Sequence, residues 1–321
     1  MNAREGILRL MTLLYYDYLF QEHETGEHPE NPGRLAAVMR RLSFLGLDAH
    51  CTRPAWEPAA MEQLRLVHTA DHIQAVRSLA ESGGGAIDED TVVSPRSYDA
   101  ATLGAGAVAD AVRRVILGED KNAFCLLRPP GHHATSDQAM GFCLFNNIAI
   151  GARVATQTMG LERVMIVDFD VHHGNGTQDI FYADPQVGFL SMHRSPLYPY
   201  SGTEEETGLG EAIGMTVNLP IEFATSPEIQ RQKFRDAMFS LAEKISPQLL
   251  LVSAGFDSHR LDPIGSLGLS SEDFTLITED IMAVAKQYTG ERIVSVLEGG
   301  YNPHALAESV SNHLETLMEE N

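Results

Sequence analysis

Six short apolar runs punctuate the chain, each followed by a longer amphipathic stretch, and this alternation restricts the fold more than any other feature. The runs are "TLLYY" from Thr12, "AFCLL" from Ala123, "RVMIV" from Arg163, "VGFLSM" from Val187, "QLLLVSA" from Gln248 and "RIVSVL" from Arg292. They show no polar alternation, so they read as strands buried on both faces, as in a parallel sheet covered by helices. Helical patterns fall over residues 32–45, 105–117, 146–159, 227–245, 271–288 and 303–318. In the fourth, Phe234, Met238, Leu241 and Ile245 recur at helical spacing with charges between them. Proline follows Asn31, Ser226 and Asn302, where its fixed φ opens a helix. No repeat, heptad run or low-complexity linker interrupts the pattern. The expectation is one α/β domain with a doubly wound parallel sheet.

The polar residues are placed as that fold requires of a ligand site. "AFCLL" leads into "RPPGHH" with His132 and His133, and "RVMIV" into Asp168, Asp170, His172 and His173. "VGFLSM" leads to His193, "QLLLVSA" to "GFDSH" with Asp257, and "RIVSVL" to "EGGY" with Tyr301. In a parallel sheet all these strand ends lie at one edge, where open α/β folds bind ligands. Uncompensated charge at a buried strand end is costly, so such groups are paired or bind a metal. Strand geometry carried past Val167 would align Asp168, Asp170 and His172 and turn His173 away. Asp170, His172 and Asp257 then offer two oxygens and one nitrogen with a fourth position open, the pattern of a catalytic zinc. Gly131, Gly174, Gly176, Gly299 and Gly300 lie beside these groups, where backbone turns sharply or approaches a ligand. His68 and His72 have i, i+4 spacing, but no glutamate completes an HExxH motif, and they are read as helix structure.

Composition excludes several alternatives. Of 321 residues, 44% are hydrophobic and 21% charged, enough for a large core. Lys+Arg 23 against Asp+Glu 44 gives a formal charge of −21, a surface that repels nucleic-acid backbones and anionic membranes. No stretch reaches the roughly 18 apolar residues of a membrane span. Cys51, Cys125 and Cys143 form an odd, sparse set without CxxC spacing, which fits a reducing cytoplasm. The apolar start contains Asp17 and several tyrosines and no small-residue cleavage site, so it reads as a first strand rather than a signal peptide. Residues 1–10 read as an extension, with Met11 as an alternative start and the domain over 11–321.

"RPPGHHA", "GFCLFNN", "VDFDVHHGNGTQDIF", "SAGFD" and "LEGGYN" together resemble the zinc-dependent histone deacetylase family, with its bacterial amidohydrolase members. The resemblance runs from about Leu13 to the last helix, and "RPPGHHA" and "HHGNGTQ" resemble the class II branch. It implies the arginase–deacetylase fold, a single domain with a central eight-stranded parallel sheet flanked by helices. It implies zinc on Asp170, His172 and Asp257, tandem histidines at His132 and His133, and a transition-state tyrosine at Tyr301. Asp168 corresponds to the partner of the first histidine, and Asn175 takes the place beside the second that is aspartate in class I. Potassium is implied at Asp168, Asp170, His172, Ser191 and Met192, and a second potassium at backbone oxygens of Phe181, Asp184, Val187 and Met215.

For substrate, the resemblance implies a channel walled by Phe142, beside Gly141, and by Tyr198 or Tyr200 from "SPLYPYSGT". Gly299 is implied as a further substrate-binding residue, and Asp90 as the rim carboxylate that holds the substrate backbone, with a solvated acidic loop as the alternative. Arg34 matches an internal-cavity arginine; a helix-surface arginine is the alternative. His23 and His28 resemble an N-terminal loop that shapes the rim. Ile264 stands where a polyamine-specific branch has glutamate, which favours acyl-lysine proteins or peptides over acetylated polyamines.

Amide hydrolysis needs an activated water, a polarised carbonyl and a proton for the leaving amine, and zinc supplies the first two. His133 is expected to move the protons, His132 to be an imidazolium against Asp168, and Tyr301 to donate to the oxyanion. The residues leave three other readings. Acetylpolyamine or other small-amide hydrolysis is the nearest alternative. An arginase-like ureohydrolase with two manganese ions lacks its DxHxD pattern here, and a non-catalytic acyl-lysine binding module leaves the complete site unexplained.

Overall fold

A computed structural model describes residues 12–319, so the extension over 1–10 and the alternative start at Met11 lie outside the described residues. The sheet strands are β1 (Leu13–Tyr15), β4 (Asn122–Cys125), β5 (Val164–Asp168), β6 (Val187–Arg194), β7 (Thr216–Ile221), β8 (Leu249–Ala254) and β9 (Ile293–Leu297). The short strands β2 (Gly85–Ala86) and β3 (Val92–Val93) pair separately, antiparallel. The main sheet is parallel throughout, in the order β1-β4-β9-β8-β5-β6-β7. Its central side chains, such as Ile166, Leu251, Val252, Val294 and Val296, are fully buried, as expected of strands covered on both faces.

Among the described residues the sheet has seven strands rather than the eight expected. The place outside β1 is taken by Thr52, which makes a single bridge to Leu13; Leu14 N donates to the Thr52 carbonyl at 2.9 Å. Pro54 has no N–H with which to extend that ladder. Strand β7 has no counterpart among the six apolar runs of the sequence. Its "TVNLPI" carries Asn218 and Pro220, and it survives because it is the edge strand, where proline is tolerated.

The helices are α1 (Gly33–Leu45), α2 (Met61–Leu64), α3 (Ala70–Glu81), α4 (Ser97–Leu117), α5 (Asn147–Arg153), α6 (Asn175–Phe181), α7 (Pro227–Ile245), α8 (Ser271–Tyr288) and α9 (Pro303–Met318). The last three coincide with their periodicity, and α7 buries Phe234, Met238, Leu241 and Ile245 as that spacing requires. Helix α4 starts eight residues before the expected 105, its first turns being alanine-rich and buried. The expected helix over 146–159 is α5 followed by a π-helical turn at Val154–Thr158. Helix α7 can approach β6 closely because residue 188 is glycine: a Cβ there would stand 1.8 Å from Ile245 Cδ1. No described helix is long and apolar enough to cross a membrane.

From β5 the chain moves to β6 on one side, then returns to β8 on the other. The carboxyl ends of β5 and β8 therefore flank a topological switch point, where a crevice opens.

Candidate active site

The strand geometry expected to continue through His172 stops at Asp168. Beyond it the chain bends, and hydrogen bonds replace the ladder: Asp170 N donates to Asp168 Oδ1 at 3.1 Å, and His172 N to Asp170 Oδ1 at 2.9 Å. Asp257 arrives from the end of β8, its Oδ1 accepting from Val171 N at 2.8 Å. The result is a buried group in which Asp170, His172 and Asp257 each present a ligand atom, all within 4.8 Å of one another. His172 Nδ1 lies 3.0 Å from Asp170 Oδ1 and 3.2 Å from Asp257 Oδ2.

Several features show that this group suits a cation. Asp257 Oδ2 is buried without a hydrogen-bond partner. Burial, with the nearby Asp170 charge, pushes the Asp257 carboxyl up to about 7, and the two carboxylates in turn lift the His172 imidazole to about 10, so the group favours positive charge between them. Gly299 leaves the space: its N–H donates to Asp170 Oδ2 at 2.8 Å, and a Cβ there would stand 2.1 Å from Asp257 Oδ2. The donor set fits a metal ion with two oxygens and one nitrogen.

His132 and His133 stand against this group, their rings 4.0 Å apart between centroids. His132 Nδ1 is 2.9 Å from Asp168 Oδ2, and its Nε2 is 3.8 Å from Asp170 Oδ1. Burial opposes charge on His132, but Asp168 and Asp170 outweigh it and lift its pKa to about 10. His133 Nδ1 instead meets Asn175 Oδ1 at 2.7 Å. Burial and the adjacent His132 hold His133 well below the ordinary histidine value, and the neutral amide opposes this only in part. His173 faces away, bonding Ser201 Oγ at 2.8 Å and Gln178 Oε1 at 3.0 Å. Beside it His193 bonds the Gly202 carbonyl at 2.9 Å, so two buried histidines pin the 195–202 loop.

Tyr301 is buried, and its hydroxyl has no hydrogen-bond partner among the described residues. Burial and the Asp257 charge keep the phenol protonated, well above its usual pKa. Its backbone N–H donates to Asp262 Oδ2 at 2.7 Å. Phe142 packs edge-on against the Tyr301 ring at 5.7 Å, and Tyr198 edge-on against His133 at 5.2 Å. Gly141 permits the latter contact, since a Cβ there would be 2.5 Å from the His133 ring and 3.0 Å from Tyr198. Tyr200 is 80% exposed, which leaves Tyr198 as the aromatic beside the histidines. Ile264 is half-buried, its N–H held by Asp262 Oδ1 at 2.9 Å; Asp90 is also half-buried.

Arg34 is fully buried, not on the helix surface. Its Nε donates to the Gly300 carbonyl at 2.7 Å and its Nη2 to the Glu298 carbonyl at 2.5 Å, and the guanidinium lies 4.9 Å over the Tyr301 ring. His68 precedes α3, whose cap is Thr69, and is therefore not helical; it accepts from Asn146 N at 2.9 Å, while His72 on α3 bonds the Leu144 carbonyl. Both are buried core histidines. Ser191 pairs in register with Asp168 and its hydroxyl meets His193 Nδ1 at 3.0 Å; Met192 is buried. Near Phe181 and Asp184 a guanidinium is already present, Arg153 lying 4.6 Å over the Phe181 ring and bonded to Asp184.

Sequence reasoning passed over four supporting residues. Glu298 is fully buried and accepts from Gly131 N at 2.7 Å and His132 N at 3.2 Å. Asp262 holds the backbone of both Tyr301 and Ile264. Glu30 and Arg128 are buried partners, with Glu30 bonded to Arg34 as well. Glu298 and Arg128 stand inside "LEGGYN" and "RPPGHHA", and for the acids Glu298, Asp262 and Glu30 the available signal was a carboxylate next to glycine or proline.

The chain is similar to known proteins over most of its length. A histone deacetylase domain model matches residues 28–317. A histone deacetylase-like amidohydrolase of Pseudomonas aeruginosa is 37% identical over 277 residues, covering 86% of this chain and 73% of that protein. A probable deacetylase of Archaeoglobus fulgidus is 36% identical over 292 residues, covering 90% and 81%. The crystal structure of the HDA15 HD domain superposes with a TM-score of 0.90 at 33% identity, covering 96% of this chain and 89% of that one. Matched by that domain over most of its length and similar to these deacetylase and amidohydrolase relatives, the chain belongs to the histone deacetylase family.

Proposed function

We propose that the protein is a zinc-dependent deacylase that hydrolyses the amide of acylated lysine side chains, releasing free lysine and acetate or another short carboxylate. The observation that carries this reading is the buried Asp170–His172–Asp257 group, whose three ligand atoms converge within 4.8 Å with Asp257 Oδ2 accepting no hydrogen bond, faced by two histidines in opposite electrostatic states. Asp170, His172 and Asp257 would hold the zinc, which when bound supplies Lewis acidity toward the amide carbonyl and acidifies the attacking water. With Nδ1–H donated to Asn175, His133 presents a free Nε2 lone pair, the atom that takes the water proton and returns it to the leaving amine. His132, charged against Asp168, stabilises developing negative charge. Tyr301 has a free hydroxyl to donate to the oxyanion, on a ring held by Arg34 and Phe142. Phe142 and Tyr198 wall the lysine stem and Gly141 lets Tyr198 approach; Ile264 extends the apolar wall, and Asp90 holds the substrate backbone at the rim.

Potassium is proposed at Asp168, Asp170, His172, Ser191 and Met192, and a second ion near Phe181, Asp184, Val187 and Met215. The domain is proposed to span 11–321. Buried free thiols at Cys51, Cys125 and Cys143 support a reducing, cytoplasmic setting. The test is hydrolysis of acyl-lysine peptides and acetylated polyamines side by side, by metal-stripped and zinc-replenished protein. Zinc-dependent turnover of the peptides is expected. Strong preference for polyamines, or full activity without metal, overturns the reading.

A further inference from the structure

In the loop ahead of α1, one side chain touches both the Asp90 segment and Phe142. His28 Nε2 lies 3.1 Å from the Asp90 carbonyl, and its Nδ1 receives the Glu30 N–H at 3.1 Å. The Asp90 carbonyl can only accept, so Nε2 carries a proton, while Nδ1 is held against the Glu30 backbone, where it also lies 3.2 Å from the Glu30 carbonyl. The His28 ring also packs edge-on against Phe142, 4.6 Å between centroids at 82°. Phe142 has φ +70°, a conformation a bulky L residue does not hold unless its surroundings impose it. Its N–H reaches Thr91 Oγ1 at 3.3 Å, and that hydroxyl donates to Asp90 Oδ1 at 3.2 Å. The anchor is rigid, because Glu30 is buried between Arg34 and Arg128.

Resting on the acyl-lysine reading above, we propose that His28 is a positioning residue that acts through two contacts. Its N–H sets the Asp90 segment that meets the substrate backbone, and its ring holds the Phe142 wall that meets the acylated stem. The two contacts serve different parts of the substrate and are therefore separable. His28→Phe keeps a ring and loses the donor; His28→Gln keeps a donor and loses the ring; His28→Ala loses both.

Steady-state kinetics of the zinc-loaded enzyme are measured on an acetyl-lysine peptide and on N-butylacetamide, which has the stem and amide but no peptide backbone. His28→Ala should raise KM for both by about tenfold, the scale of a lost neutral hydrogen bond or ring contact, with kcat within about threefold. His28→Phe should restore KM for N-butylacetamide only, and His28→Gln should improve the peptide preferentially. Variants matching the wild type on both substrates overturn the proposal. So does an equal fall in kcat and thermal midpoint in all three, which marks a merely structural role. A wild type that fails on both substrates overturns the acyl-lysine reading and this inference with it.

Discussion

Replacing Glu30 by glutamine tests the scaffold beneath the site. Glu30 is fully buried and meets Arg34 Nη1 at 2.9 Å and Arg128 Nη2 at 2.7 Å, with His23 Nε2 at 3.5 Å. Burial alone would raise its pKa, yet the two guanidiniums hold the carboxyl far below its usual range. Burial keeps His23 down at about 4, so it is neutral at pH 7 and the compensation is the carboxylate's. Glutamine fills the same volume and leaves two buried cations without a counter-charge. Breaking a buried pair in this way costs about 3–5 kcal/mol. With a urea slope of about 3 kcal/mol/M, the unfolding midpoint at pH 7 should fall by about 1–1.7 M. Adding Arg128→Met removes one of the stranded cations, so the double variant should lose less than the sum of the singles. A Glu30→Gln protein within about 1 kcal/mol of the wild type, or strictly additive losses, refutes the reasoning.

Asp257→Ala removes a carboxylate from the metal group, and metal content after dialysis against a weak chelator should drop while folding by circular dichroism persists. Tyr301→Phe should retain metal but lower kcat by about 10²-fold or more, since only the oxyanion donor is lost; an unchanged kcat reassigns that role. Ile264→Glu should narrow or reverse the preference for acetyl-lysine peptides over acetylspermidine, measured as the ratio of kcat/KM, because an apolar wall cannot pair a second ammonium. His313 is buried between Thr278 and Ser295, and burial holds its pKa down to about 3. The folded protein therefore resists a proton the unfolded chain accepts, and stability is lost as pH falls below about 6.5. The urea-derived advantage of the wild type over His313→Gln should shrink by about 2 kcal/mol between pH 7 and pH 5.

Local periodicity was enough to identify most strands, the three C-terminal helices and the edge of the sheet where the polar residues gather. The reason is that burial of a regular element leaves its period in the sequence, and a parallel sheet brings every strand's carboxyl end to one rim. Asp170, His172, Asp257, the tandem histidines and Tyr301 were legible for that reason: each follows a strand. What lay between elements was not. Whether Thr52 would form an eighth strand depended on how many ladder bonds could be made beside Pro54, and β7 was hidden because an edge strand can carry Asn218 and Pro220.

Only the tertiary structure decided how the rim is held. Glu298 under His132, Asp262 under Tyr301, and Glu30 between Arg34 and Arg128 join segments far apart in sequence, Arg128 lying 98 positions from Glu30. Such pairings leave no period, because they depend on which loops the closed sheet brings within about 3 Å, and a hydrogen bond is lost over an ångström. Tyr198 and Tyr200 are alike in sequence for the same reason, and the backbone path through their loop puts one against His133 and the other in water.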